Sequence, residues 1–143
     1  MKLLRSMGLL LLVAKALSGC ASSPENAYKD IDLKISGLAI INRTQTYISA
    51  AQLMVPATGN FMSCGSIAPG NICSTAFPER EFTGNPVVIS WTMGSRIHNT
   101  GELTVVPSEE VIEKGFAVVR VMIVGQGVAG LELLPEGADL YAP

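Results

Sequence analysis

Past residue 30 the chain breaks into short apolar runs rich in β-branched residues, separated by Gly, Pro, Asn and Ser. The runs are Leu33–Ile41, Thr46–Val55, Asn60–Cys64, Ile72–Phe77, Pro86–Met93, Glu102–Val106, Phe116–Val124 and Leu131–Leu134. Short strands punctuated by turn residues predict an all-β domain over 31–143, a small antiparallel β-sandwich. Two runs alternate cleanly enough to assign faces. Val87, Ile89, Trp91 and Met93 share one side, with Ser90 and Thr92 opposite; Ala117, Val119, Val121 and Ile123 share another, with Arg120 opposite. Trp91 is the expected centre of the core. Only residues 107–115 look helical: Ser108 can cap, Glu109 and Glu110 favour the positive end of the dipole, Lys114 the negative end, and Gly115 can close the turn.

The first twenty residues follow a different pattern. Lys2 and Arg5 precede a continuous apolar run, Gly8 to Ala14, and small residues follow it. That run is too short for a permanent membrane span and has the layout of a secretory signal, expected to cover residues 1–19. Leu17-Ser18-Gly19-Cys20 resembles the lipobox of bacterial lipoproteins, which implies a diacylglycerol on the Cys20 thiol, cleavage just before it, and acylation of the new amine. Lys15, a charge late in the apolar stretch, departs from the usual pattern. Residues 20–30 then form a short polar, lipidated tether. Ala21 follows the cysteine where lipoproteins kept in the inner membrane typically carry Asp. The resemblance therefore implies an outer-membrane anchor facing the periplasm, and it leaves open onward display at the cell surface.

This reading changes both charge and cysteine chemistry. The chain has 143 residues, with ten basic and twelve acidic side chains. Lys2, Arg5 and Lys15 leave with the signal, so the 124-residue mature chain carries a net charge of −5. No basic stripe remains, which argues against nucleic acid as a partner. Of three cysteines, lipidation removes Cys20. Cys64 and Cys73 are left to pair in an oxidising compartment. Zinc is the rival use of the two thiols, but His98 is the only histidine in the chain, a poor ligand set.

Candidate catalytic motifs are weak. Gly125-Gln126-Gly127-Val128-Ala129-Gly130 matches a dinucleotide fingerprint, yet thirteen residues after it leave no room for the helix and acidic residue that unit needs. It is expected to be a glycine-rich hairpin, and no nucleotide is expected. No G-x-S-x-G occurs, and His98 sits in the turn-like stretch Gly94–Gly101. Glu79-Arg80-Glu81 reads as a solvated edge. Asn42-Arg43-Thr44 spells a glycosylation sequon, of no consequence in a bacterial chain. No catalytic residue, metal or cofactor is expected, apart from the covalent lipid on Cys20.

The Pro69-Gly70 turn, the cysteine-anchored strand and Val87-Val88-Ile89-Ser90-Trp91 look like an immunoglobulin-type domain. Both cysteines precede Trp91, which departs from the Cys…Trp…Cys order of antibody domains. A transthyretin-like sandwich is the alternative. In size and layout, though not in motif, the chain is similar to the outer-membrane lipoprotein of type VI secretion systems. The expected function is non-catalytic: a tethered lipoprotein that binds another envelope protein, as an accessory subunit of an assembly or secretion machine. The expected contact residues are Ile67, Ala68, Pro69 and Ile72, apolar positions in the loop between the cysteines. The alternative function is a soluble-ligand binder, or an inhibitor of an attacking hydrolase such as lysozyme.

Lipidation can be tested directly. Cys20→Ser is expected to abolish labelling by a clickable fatty acid and leave uncut precursor. A mutant still acylated, or still cleaved to a membrane-bound form, refutes the lipobox reading.

Overall fold

The computed structural model describes Tyr28 and residues 30–143; the expected signal, its cleavage site and most of the tether lie outside these residues. Eight strands form: β1 Lys34–Asn42, β2 Ile48–Val55, β3 Asn60–Cys64, β4 Ile72–Glu81, β5 Val87–Met93, β6 Arg96–Leu103, β7 Phe116–Gly125 and β8 Val128–Pro135. One helix, α1 Glu109–Lys114, lies between β6 and β7. The strands make two sheets of four, in the orders β4-β1-β7-β8 and β3-β2-β5-β6. Every pair is antiparallel except β1 with β7. This is the small all-β sandwich that the hydrophobic pattern predicts.

Its strand order differs from that of antibody constant domains. In an immunoglobulin constant-type sandwich the first two strands share a sheet. Here β1 and β2 belong to different sheets.

The alternating runs pack as their periodicity requires, because successive strand residues point to opposite faces. Ile89 and Trp91 of β5 meet Leu38 and Ile40 of β1, Ile48 and Leu53 of β2, and Val121 and Ile123 of β7 in one buried cluster. Val87 and Met93 pack against its rim. Trp91 is among the largest fully buried side chains, and its Nε1 has no hydrogen-bond partner.

β1 alternates differently because it carries a bulge between Ile35 and Gly37. One extra residue switches the parity of a strand. Leu33 and Ile35 before the bulge and Leu38 and Ile40 after it can therefore all face inward. Glycine suits the bulge: a Cβ on Gly37 would lie 3.2 Å from the Thr75 carbonyl oxygen.

α1 forms as its caps predict. The Ser108 hydroxyl accepts from the Val111 amide at 3.3 Å. Gly115 adopts the left-handed conformation, φ 74°, and its amide donates to the carbonyls of Val111 and Ile112. The helix sets Val111 into a second apolar cluster with Leu33, Ile35, Ala117 and Leu133.

Two strands depart from expectation. The polar stretch read as a turn is mostly strand β6: only Gly94 and Ser95 turn, with Gly94 at φ 62°, and Trp91 pairs with His98. As an edge strand it needs few apolar residues, so periodicity carried no signal there. β8 begins at Val128, because the glycine-rich motif turns over Gln126-Gly127, the hairpin expected of it.

Trp91→Ala is expected to cost about 3–5 kcal/mol, as for other large core truncations. Trp91→Phe should cost markedly less, since it keeps an aromatic ring and removes an unpaired buried donor. Urea unfolding of both variants checks this, and the native indole should emit in the blue-shifted range. A cheap Trp91→Ala contradicts the core assignment.

Candidate functional site

Strand directions give the sandwich two unlike ends. β1, β4, β7 and β8 connect at one end through Asn42, Ile72, Gly125 and Val128, and the second sheet contributes Ile48, Cys64, Met93 and Arg96 there. This is the loop end. The opposite end, where a tether would enter, holds Lys34 together with α1 and the 82–86 connection.

Asn42 organises the loop end. It is fully buried. Its Nδ2 donates to the carbonyls of Thr46 at 2.8 Å and Ile67 at 2.9 Å. Its Oδ1 accepts from the Thr44 amide at 2.9 Å and the Thr44 hydroxyl at 2.6 Å. Its backbone amide donates to Asn71 and its carbonyl accepts from Gly70. The sequon asparagine is thus a structural hub whose side-chain donors and acceptor all have partners, the usual condition for a buried amide.

Cys64 and Cys73 form the expected disulfide, which joins β3 of one sheet to β4 of the other with Cα atoms 6.1 Å apart. Closing so short a loop contributes about 2–3 kcal/mol in the chain-entropy picture. The loop it closes is not the apolar tip expected from the sequence. Ile67 is only 3% exposed and belongs to the main core cluster. An isolated antiparallel bridge to Ile48 turns it inward, with N–H to carbonyl distances of 2.8 and 3.1 Å. Ala68 and Ile72 are half-buried, while Gly65, Ser66, Pro69, Gly70 and Asn71 are exposed. The exposed part of the loop is therefore small and polar, apart from Pro69.

Exposed apolar side chains at this end lie on other loops. Tyr47 is 65% exposed, Ile97 79%, Val124 54% and Val128 56%. Tyr47 precedes β2, Ile97 follows the β5–β6 turn, and Val124 and Val128 flank the β7–β8 turn. The β7–β8 turn approaches strand β6: a Cβ on Gly127 would sit 3.6 Å from the Asn99 carbonyl oxygen. Sequence reading missed these positions because Ile97 stands alone between Arg96 and His98, while Tyr47 and Val124 merge into the ends of apolar runs.

The other singled-out residues are placed without forming a reaction centre. His98 is half-buried, its ring centroid 6.1 Å from that of Trp91, and it makes no hydrogen bond to a serine or carboxylate among the described residues. Glu79 pairs with Lys34 at 3.8 Å, both well exposed. Among the described residues no cluster of three or more His, Cys, Asp or Glu could hold a metal, and no helix is long and apolar enough to cross a membrane. Arg120 lies opposite the core face of β7, as its position in the alternation predicts, yet it is only 3% exposed. Its Nε donates to Glu132 at 2.6 Å, and its Nη1 donates to the carbonyls of Leu140 and Ala142 at 3.1 and 2.6 Å. It holds the segment after β8 against the outer face of the first sheet.

At the tether end an apolar cavity of about 130 Å³ opens between the sheets. Leu53, Phe77, Val87, Val119, Leu131 and Leu133 are among its walls, with Arg80, Thr83 and Asn85 at its edge. Tyr28 clamps the neighbouring connection. Its ring packs edge-on to Phe82 at 5.2 Å, and a Cβ on Gly84 would collide with it at 2.2 Å.

The fold and both ends define a disulfide-clipped all-β sandwich with a pinned loop end and an apolar cavity. The chain matches no protein-family model and no curated protein sequence. A solved NMR structure of a protein from Eubacterium rectale is similar over 80% of this chain and 96% of that one, at 8% identity and a TM-score of 0.43. That likeness is too distant to carry fold or function from one to the other.

Ile67→Asp is expected to cost more than about 3 kcal/mol, because it buries a carboxylate without a partner. Ser66→Asp, one residue away and exposed, should stay within about 0.5 kcal/mol of wild type. Thermal melts of the two variants check the inward packing. An Ile67→Asp variant that melts like wild type contradicts it.

Proposed function

We propose that the protein is a non-catalytic lipoprotein, anchored in the outer membrane through Cys20 and facing the periplasm, that binds another envelope protein through its loop end. It would serve as an accessory subunit of an envelope assembly or secretion system. The observation that supports this reading is that four of the seven exposed large apolar side chains among the described residues, Tyr47, Ile97, Val124 and Val128, stand at the end of the sandwich opposite Lys34, where the chain enters from its tether; Phe61, Val106 and Tyr141 lie elsewhere. A lipid on Cys20 would hold the tether end toward the membrane and turn the loop end away from it.

Physical cost supports the same assignment. A side chain as exposed as Ile97 contributes little to folding, and several large apolar groups exposed at the same end of a small domain suit an interaction surface. The Asn42 hydrogen bonds and the disulfide fix two of the loops at that end, 43–47 beside Tyr47 and 65–71. Loops ordered beforehand lose less entropy on binding.

Photocrosslinking of the full-length lipoprotein in cells tests this. A photoreactive residue at position 97 or 128 is expected to give one adduct of defined mass. At position 106, 76% exposed and on the chain leading to α1, it should give none. Ile97→Asp together with Val128→Asp should reduce the adduct formed from position 47 without lowering the melting temperature. Equal adducts from positions 97 and 106, or none from either, overturn the proposal.

A further inference from the structure

The cavity at the tether end has the make-up of a ligand site. Its walls are apolar side chains from both sheets, and its few polar groups gather at the edge. That combination, an apolar chamber with a small number of placed polar groups, is how small-molecule sites are usually built. At about 130 Å³ it is close to the size of apolar cavities that stay dry and accept a benzene-sized body. A groove continues from it past Met62 to Thr58, Asn60 and the exposed Phe61, so the chamber has a way in.

Arg80 supplies the polar end. In the β1–β4 register it stands opposite Ile35, whose side chain is in the core, so Arg80 shares the inward face of its strand. Glu81, which also borders the chamber, stands opposite Lys34 and is directed to the other face by strand alternation. Among the described residues Arg80 makes no ion pair. An inward-directed charge on an edge strand can be a guard against sheet-to-sheet association. A guard, however, needs no apolar chamber behind it.

We propose that this cavity binds a small anionic amphiphile, with an apolar body of about six carbons between the sheets and a carboxylate at Arg80. Thr83 and Asn85 offer further hydrogen-bonding groups at the same edge. The guanidinium fork suits a carboxylate better than an uncharged hydroxyl. The site lies at the opposite end from the proposed partner surface and is independent of it.

Methionine methyl NMR of the full chain in lipid nanodiscs tests the proposal, with octanoate as probe and 1-octanol as its uncharged counterpart. Met62 lines the cavity, and Met122, on β7 near the loop end, serves as internal control. Octanoate is expected to shift Met62 saturably and leave Met122 in place, and octanol to bind several-fold more weakly. Arg80→Gln should weaken octanoate several-fold and leave octanol unchanged. Val119→Phe, which fills the chamber, should remove the Met62 response while Trp91 fluorescence stays native. No saturable Met62 shift, or equal shifts at Met62 and Met122, overturns the site. Octanoate binding unaffected by Arg80→Gln leaves Arg80 as an edge guard and overturns the anionic head group.

Discussion

The parallel pairing of β1 with β7 is the constraint on which the rest of the structure depends. Antiparallel neighbours can be joined by a two-residue turn, but parallel neighbours need a crossover. Here the crossover is the whole of β2 to β6 and α1, so the entire second sheet and β4, one edge of the first, lie in the chain between the two paired strands. Ser36 Oγ donates to the Ala117 carbonyl across a separation of 81 residues, a measure of how non-local that closure is. β1 has a strand on either side, β4 and β7, and its last six residues are all buried. A strand so enclosed tolerates few buried polar residues, and the one it buries fully, Asn42, is used in full.

Asn42 links this central strand to the chemistry of the loop end. It ends β1 and ties both neighbouring loops to it, one through Thr44 and Thr46, the other through Ile67, Gly70 and Asn71. With the Ile48–Ile67 bridge and the disulfide, these two loops are held around one buried amide. The other end is built differently. There the sheets part around an apolar chamber, and the contacts that close it are aromatic, Tyr28 against Phe82 and Gly84. A rigid end suits recognition of a surface, and an end with space inside suits uptake of a small molecule.

The legible parts of the fold were those where one face is buried and the other wet. β5 and β7 announced their inward residues by alternation, and α1 announced both of its caps. The disulfide followed from setting Cys20 aside and from the short spacing of the other two cysteines. What escaped did so for physical reasons. A bulge in β1 reversed its parity midway, so no single alternation ran through Leu33–Ile41. β6 is an edge strand of mostly polar residues, and polarity there resembles a turn. Ile67 looked like a loop tip because its bridge to Ile48 joins positions far apart in sequence. Arg120 was correctly set opposite the core face, but the segment that covers it returns only after β8. The cavity is a property of how two sheets diverge, and no local pattern encodes it.

Native-state hydrogen exchange of the full chain tests the central claim most directly, since it reads the stability of individual amides. If the β1–β7 closure and the Asn42 hub act as one unit, the amides of Asn42, Ile48 and Ile67 exchange only by global unfolding, with the same free energy as those of Val119 and Val121. Amides at the cavity end, such as Gly59 and Phe82, which bond to Val55 and Leu33, exchange through smaller openings. Exchange at Asn42 and Ile67 as fast as at Gly59, while β7 remains protected, would contradict the account.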